Sequence, residues 1–283
     1  MTRYAILGHP ISHSLSPLIH NTAFELLGLD CRYETVDVEP DDLKEKIAEL
    51  ALGEYGGFNV TIPHKETILP FLGKLEKEAK TLGAVNTVVR RDTTWTGYNT
   101  DVYGFRSCIE GYKDRMRGTE VLVLGAGGAA RAVVYALLGT VQPKGTTILN
   151  RTVDRAEDLA AVFGTMTGPG CLRAEALFQE DLQSLVDRSG TIINATSVGM
   201  KPYTDASPLE EIKFGKHHLV IDLIYTPGET TLMKAARTAG ATAVGGFGML
   251  LHQAAKSFSL WTGKEMPLET VRQKVEEALK GQS

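Results

Sequence analysis

The sequence predicts an α/β protein built as two domains, and three observations carry that prediction. The chain has 283 residues, about twice the length of a common domain of roughly 150. Through the second half, short apolar β-branched runs alternate with helical patterns, which implies a mostly parallel sheet with helices on both faces. At 120–130 a strongly β-biased run leads straight into Gly125-Ala126-Gly127-Gly128-Ala129-Ala130 and then a helical pattern.

In order along the first half, residues 4–7 form an apolar run ending at Gly8, a buried strand. Ser16 is expected as an N-cap with Pro17 as the first helical residue, and Leu18, Thr22, Ala23, Leu26 and Leu27 recur at helical spacing up to Gly28. A strand is expected at 33–38, a helix from Pro40-Asp41-Asp42 to near Gly53, and a strand at 58–62 stopped by Pro63. Helical patterns cover much of 64–82; 85–89 and 94–98 read as a hairpin; a helix is expected at about 102–112. The polar segment 113–119 reads as a linker.

In the second half, strands are expected at 120–124, 146–149, 191–194, 219–223 and 243–244, and helices at 133–138, 155–162, 231–239 and 249–260. A last helix at about 268–279 could pack on either domain.

Composition excludes several classes. A hydrophobic fraction of 43% with 23% charged residues belongs to a globular chain, not a disordered one. A net charge of -4 argues against a broad nucleic-acid face. No apolar run approaches the roughly 18 residues of a membrane span, and the first residues lack a secretory apolar region. Cys31, Cys108 and Cys171 are few, odd in number and far apart, which speaks against a disulfide framework and for a reducing cytoplasm. The seven histidines show no spacing that makes a metal site; His9 and His13 are four apart, but Pro10 stands between them.

The glycine-rich turn matches G-x-G-x-x-A at a strand-to-helix junction. Gly125 allows the tight turn, Gly127 lets the backbone approach a pyrophosphate, and Ala130 allows close helix packing. The helix N-terminus offers unpaired N–H groups to phosphates. The second strand ends at Asn150, 25 positions after Gly125, where an NAD enzyme usually carries an acid for the ribose hydroxyl. Arg151, Thr152 and Arg155 follow instead. Guanidinium forks and a hydroxyl suit a 2′-phosphate, so NADP is the expected cofactor. The blander alternative makes them solvated first-turn residues of the next helix.

A dehydrogenase must hold a carbonyl or alcohol and move a proton at its oxygen. Polar clusters stand where elements end: Ser12-His13-Ser14-Leu15-Ser16-Pro17, Asn59-Val60-Thr61-Ile62-Pro63-His64-Lys65, Gly83-Ala84-Val85-Asn86-Thr87 and Asn99-Thr100-Asp101. Alternating hydroxyls at 12–16 could bind an anion. Strand alternation puts Asn59 and Thr61 on one face. Lys65 taken alone reads as a surface charge, and Asp101 alone as a helix cap.

From Ser14 on, these segments resemble, in order and together with Gly125 to Ala130, Asn150-Arg151-Thr152, Asn194-Ala195-Thr196-Ser197, Asp222-Leu223-Ile224-Tyr225 and Gly248-Met249-Leu250-Leu251-His252-Gln253, the motifs of the shikimate dehydrogenase family. The resemblance runs from about Ile6 to Trp261. It implies an N-terminal substrate domain (1–112, with about 249–283 packing back on it) and a C-terminal Rossmann-like NADP domain (113–248), separated by a cleft. It implies that Ser14 and Ser16 hold a substrate carboxylate near Tyr225, that Thr61, Asn86 and Gln253 hold ring hydroxyls, and that Asn59 is a further substrate-binding position. Lys65 and Asp101 are then the catalytic pair flanking the reacting hydroxyl. Gly125, Ala126, Gly127, Gly128, Ala129, Asn150, Arg151, Thr152, Arg155, Thr196, Leu223 and Gly246 are implied to meet the cofactor. One departure is Lys77, between Glu76 and Glu78, where family members often carry an acid.

The implied activity is the NADP-dependent interconversion of 3-dehydroshikimate and shikimate. Two rivals are a broader quinate/shikimate dehydrogenase and a non-catalytic NADP-binding regulator, since fold does not fix function. The expected partner is a small-molecule substrate, not nucleic acid or membrane; a homodimer is left open.

Overall fold

The computed structural model describes residues 1–168 and 170–280. In chain order the elements are β1 (Thr2–Gly8), α1 (Ser16–Leu26), β2 (Cys31–Asp37), α2 (Leu43–Leu52), β3 (Tyr55–Val60), β4 (Lys74–Leu75), α3 (Lys77–Leu82), β5 (Thr87–Arg91), β6 (Thr94–Tyr98) and α4 (Asp101–Cys108). There follow α5 (Lys113–Met116), β7 (Glu120–Leu124), α6 (Gly128–Ala136), β8 (Gly145–Asn150), α7 (Val153–Gly164), β9 (Leu172–Ala176), α8 (Leu182–Asp187), β10 (Thr191–Asn194), β11 (Leu219–Asp222), α9 (Thr231–Thr238), β12 (Thr242–Gly245), α10 (Phe247–Thr262) and α11 (Leu268–Lys280). Two compact units result: Met1–Gly104 together with the chain from Leu251 on, and Phe105–Leu250. Both divisions fall inside helices, α4 and α10.

The first unit holds a six-stranded sheet in the order β2-β1-β3-β5-β6-β4. β2, β1 and β3 run parallel, while β5 pairs antiparallel with both β3 and β6. Strand alternation sends Ala5 and Leu7 to one face, where they share a core with Leu43, Ile47 and Leu50 of α2. Tyr4 points to the other face and packs on Phe24 and Trp261. Gly57 makes room for α10 there: a Cβ at Gly57 would lie 2.4 Å from both Trp261 Nε1 and the Val88 carbonyl. The Trp261 indole N–H donates to that carbonyl at 2.9 Å, fixing the helix to the sheet. His20 is wholly buried in the same aromatic cluster, stacked on Tyr33 with centroids 4.4 Å apart. Burial pulls its pKa down from 6.5 to about 3, so the ring is neutral. α11 packs on α1 in this unit.

The second unit holds a six-stranded sheet, β12-β11-β10-β7-β8-β9, parallel at every pairing. The chain starts in the middle at β7, moves outward through β8 and β9, then returns to β10 on the other side of β7. This is the doubly wound order, with its switch point between β7 and β10. Leu122, Leu124, Ile192 and Val220 form a core with Leu185 and Leu232. α6 buries Ala130, Val133 and Val134 completely.

Several expectations are corrected. Leu15, not Ser16, stands at the N-cap of α1, and its buried face is Ile19, Ala23 and Phe24, with Leu26 exposed. Only Lys77–Leu82 is α-helical within 64–82, because Pro70 and Gly73 interrupt the run; β4 is paired there with β6. The segment 113–119 is no loose linker: it contains α5, with Met116 fully buried and Arg115 Nη1 donating to Thr242 Oγ1 at 2.8 Å. β9 and α8 were not expected. The end of the expected C-terminal region, 281–283, lies outside the described residues.

Candidate active site

In the first unit the strand ends gather the polar groups. The turn after β3 is anchored by two buried side chains, His64 and Ile68. His64 Nε2–H donates to the Val38 carbonyl at 2.7 Å, and the Ile68 N–H reaches the His64 carbonyl. Lys65 stands between these anchors, its own carbonyl accepting from Val85 N–H at 2.8 Å. Its ammonium donates to Asp101 Oδ2 at 2.5 Å; the two side chains keep only 15% and 7% of their exposure.

Asp101 is the first residue of α4, where an acid often serves as a cap. Here Asn99 Oδ1 accepts the Asp101 N–H at 3.1 Å, so the carboxylate is free to face Lys65. The other oxygen, Oδ1, accepts from Asn86 Nδ2 at 2.8 Å. That amide also lies 3.3 Å from Gln253 Oε1 of α10 and takes the Thr100 N–H on its oxygen at 2.6 Å. Lys65, Asp101, Asn86 and Gln253 are thus one connected cluster. A paired ammonium and carboxylate can bind a hydroxyl between them and exchange its proton.

Ser14 and Ser16 stand at the start of α1, and Thr61 directly follows β3. Ser14 Oγ accepts the Ser16 N–H at 3.2 Å. Thr61 N–H donates to the Leu7 carbonyl at 2.9 Å, and Gly8 has no side chain to collide with the Thr61 methyl group. Asn59 takes a different role from the expected one. Its Oδ1 accepts from Tyr33 at 2.7 Å, and its Nδ2 lies within 3.0 Å of the Asn86 carbonyl and Thr87 Oγ1, and 3.2 Å from Ser257 Oγ. An amide so engaged and buried braces the strands.

In the second unit, Gly125 follows β7 with φ of +104°, a conformation that favours glycine. Its N–H donates to the Leu149 carbonyl at 2.7 Å. Thr196, in the loop after β10, lies against it: a Cβ on Gly125 would be 3.1 Å from the Thr196 methyl. The turn therefore sits at the switch point. Gly127 is the N-cap of α6, and nothing lies within 4 Å of where its Cβ would be. That open approach to a helix N-terminus, lined by Ala126, Gly128 and Ala129, fits a pyrophosphate. Asn150 closes β8, next to β7, and its Nδ2 donates to the Thr152 carbonyl at 2.7 Å. Arg151, Thr152 and Arg155 are exposed around the start of α7. No carboxylate takes the Asn150 position, so the donor set fits a phosphorylated ribose.

Behind the switch point, Asn194, Asp222 and Thr230 form a buried brace that sequence reading missed. Asp222 accepts from Asn194 Nδ2 (3.0 Å), Thr230 Oγ1 (2.7 Å) and Ile224 N–H (3.0 Å). Burial raises its pKa while these three donors oppose the rise. The Leu223 N–H donates to the Asn194 carbonyl, which sets the loop carrying Leu223 and the half-buried Tyr225. Gly246 backs this loop: a Cβ there would stand 2.0 Å from the Leu223 carbonyl oxygen.

A glycine turn at the switch point of one sheet, and a lysine–carboxylate pair at strand ends of the other, are the parts from which a two-domain dinucleotide-dependent dehydrogenase is made. Family models agree on the kind. The chain matches the shikimate dehydrogenase substrate binding domain over residues 6–88, shikimate/quinate 5-dehydrogenase over 109–227, and the shikimate 5′-dehydrogenase C-terminal domain over 246–276. It belongs to the shikimate dehydrogenase family. The NADP(+) shikimate dehydrogenase of Salinibacter ruber is 44% identical over 269 residues, 94% of each chain. A Thermus thermophilus shikimate 5-dehydrogenase crystallised with NADP(H) and shikimate is 36% identical, with a TM-score of 0.84 over 98% of this chain and 100% of that one. A Corynebacterium glutamicum quinate dehydrogenase bound to NAD is 31% identical, with a TM-score of 0.85 over 96% and 97%. Backbone shape alone does not separate the two substrate classes. Among the described residues, no helix is long and apolar enough to cross a membrane.

Proposed function

We propose that the protein catalyses the NADP-dependent, reversible reduction of 3-dehydroshikimate to shikimate, a step toward chorismate and the aromatic amino acids. The observation that carries this reading is the Lys65–Asp101 pair at 2.5 Å, backed by Asn86. In the reducing direction the Lys65 ammonium gives its proton to the carbonyl oxygen; in the oxidising direction the amine receives the hydroxyl proton. The cofactor, when bound, would supply the hydride as NADPH for the reduction and accept it as NADP+ in the reverse direction. Asp101 holds the ammonium in place and accepts a hydrogen bond from the reacting hydroxyl. Ser14 and Ser16, with Tyr225, take the substrate carboxylate; Thr61, Asn86 and Gln253 take ring hydroxyls.

On this reading, the unit of residues 1–104 with the chain from Leu251 on binds the substrate, and the unit of 105–250 binds the cofactor, so the boundaries lie at 104 and 250 rather than at the expected 112 and 248. Arg151, Thr152 and Arg155 select the 2′-phosphate, the glycine turn with Asn150, Thr196 and Leu223 holds the rest of the nucleotide, and Gly246 lines the nicotinamide. A cytoplasmic enzyme fits its three free thiols. A homodimer is part of the proposal, to be checked by light scattering.

The test is initial-rate absorbance of NADPH formation with shikimate or quinate crossed against NADP or NAD. Fast turnover of shikimate with NADP alone is the expected result. Competitive rates with quinate or NAD would replace it with the broader dehydrogenase, and silence in all four pairs would end the catalytic reading.

A further inference from the structure

Behind Asn86 lie three hydroxyls outside the expected site: Thr87 at the start of β5, Thr100 just before α4, and Ser257 on α10. All are buried, at 0%, 2% and 0% exposure. They close a triangle: Thr87 to Thr100 is 3.0 Å, Thr87 to Ser257 is 2.8 Å, and Thr100 to Ser257 is 3.1 Å.

The triangle is tied at both ends. Asn86 Nδ2 donates to Thr100 Oγ1 at 3.0 Å, and Ser257 Oγ–H donates to the Gln253 carbonyl one helical turn earlier, at 3.0 Å. Thr100 and Thr87 each have one hydroxyl proton, shared between the triangle and Asn86 Oδ1, which lies 3.2 Å from both, and Asn59 Nδ2 donates to Thr87 and Ser257 from the side. The chain runs from the Asn86 amide to the backbone of the residue that carries the Gln253 side chain. Each link polarises the next, so the bonds act together.

We propose that Ser257, Thr87 and Thr100 are positioning residues that fix Gln253 on α10 relative to Asn86 and Asp101 at the strand ends. This rests on the proposed function, in which Asn86 and Gln253 grip ring hydroxyls. The three hydroxyls touch no substrate themselves. Their effect is on how tightly, and in what pose, the ring is held.

The test compares Thr87→Val, Ser257→Ala and their double variant with wild type and with Thr87→Ser. Each single variant is expected to raise the shikimate KM about tenfold, the equivalent of about one lost buried hydrogen bond, and to leave the NADP KM unchanged. The double variant is expected to match either single one, because one chain is cut twice. Thr87→Ser, which keeps the hydroxyl, restores most of the affinity. An unchanged shikimate KM, an equal rise in NADP KM, or multiplicative losses would overturn the proposal. Wild-type turnover in the same assay reports separately on the proposed function. A readout free of turnover is the side-chain amide signal of Asn86 in protein labelled with ¹⁵N-asparagine, without substrate. Ser257→Ala is expected to move it although the two residues share no direct bond; an unmoved signal refutes the coupling.

Discussion

Replacing Lys65 with methionine keeps the length of the side chain and removes its charge. Asp101 then loses its partner at Oδ2 and retains Asn86 at Oδ1. Orphaning one member of a buried ion pair costs about 3–5 kcal/mol. Since 15% of the Lys65 side chain remains exposed, water can reach the carboxylate, and about 3 kcal/mol is expected at the low end of that range. Asp101→Asn orphans the ammonium and should cost a similar amount. The double variant leaves two neutral side chains of nearly native shape, so its stability loss should be well below the sum of the two. Activity behaves differently. Loss of a proton-transfer group lowers kcat about 10²–10⁴-fold, with a modest effect on KM, and neutralising Asp101 does not restore it. Urea unfolding at pH 7 and initial rates with shikimate and NADP measure both effects. A Lys65→Met enzyme with kcat within tenfold of wild type would refute the proton-transfer role, and additive stability losses would refute the pairing.

Arg151→Ala should raise the NADP KM by more than about tenfold, the value of one charge-assisted hydrogen bond, with little change for NAD; equal effects would remove Arg151 from the 2′-phosphate site. Gly57→Ala should lower the unfolding free energy by about 2–4 kcal/mol, combining overpacking with loss of the Trp261–Val88 bond; a denaturation midpoint equal to wild type would show that α10 is not seated there. His20 is held neutral with a pKa of about 3. As pH falls below about 6.5 the unfolded chain takes up a proton that the folded one refuses, so this residue withdraws about 1.4 kcal/mol of stability per pH unit until about pH 3. His20→Phe should therefore flatten the stability profile between about pH 6 and 4, and an unchanged slope would mean that the folded protein protonates His20.

The second sheet was largely legible because its inner strands are buried on both faces and read as continuous apolar runs, as in Val121, Leu122, Val123 and Leu124. β9 escaped because it is an edge: Leu172, Arg173, Ala174, Glu175 and Ala176 are each half-exposed, and no apolar run marks them. The glycine turn and the arginines after Asn150 were readable from spacing, since both act through local backbone. Lys65 and Asp101 lie 36 positions apart, and only likeness to a family joined them before the fold did. Asn59 shows the limit of alternation. The pattern gives its face, but not that Ser257, 198 residues away, arrives to cover that face. Nor do Thr87, Thr100 and Ser257 stand out in sequence, because threonine suits a strand and a helical serine resembles filler.

The first unit is assembled from both ends of the chain, with Gln253, Ser257 and Trp261 supplied by α10. A ribosome makes its sheet well before these three residues, at about 5–20 residues per second. The second unit, whose residues 105–250 are contiguous, has all its strands before the first unit receives its closing helix. Synthesis therefore completes the middle before the beginning. Until then the nascent first sheet exposes the aromatic face that Trp261 later covers.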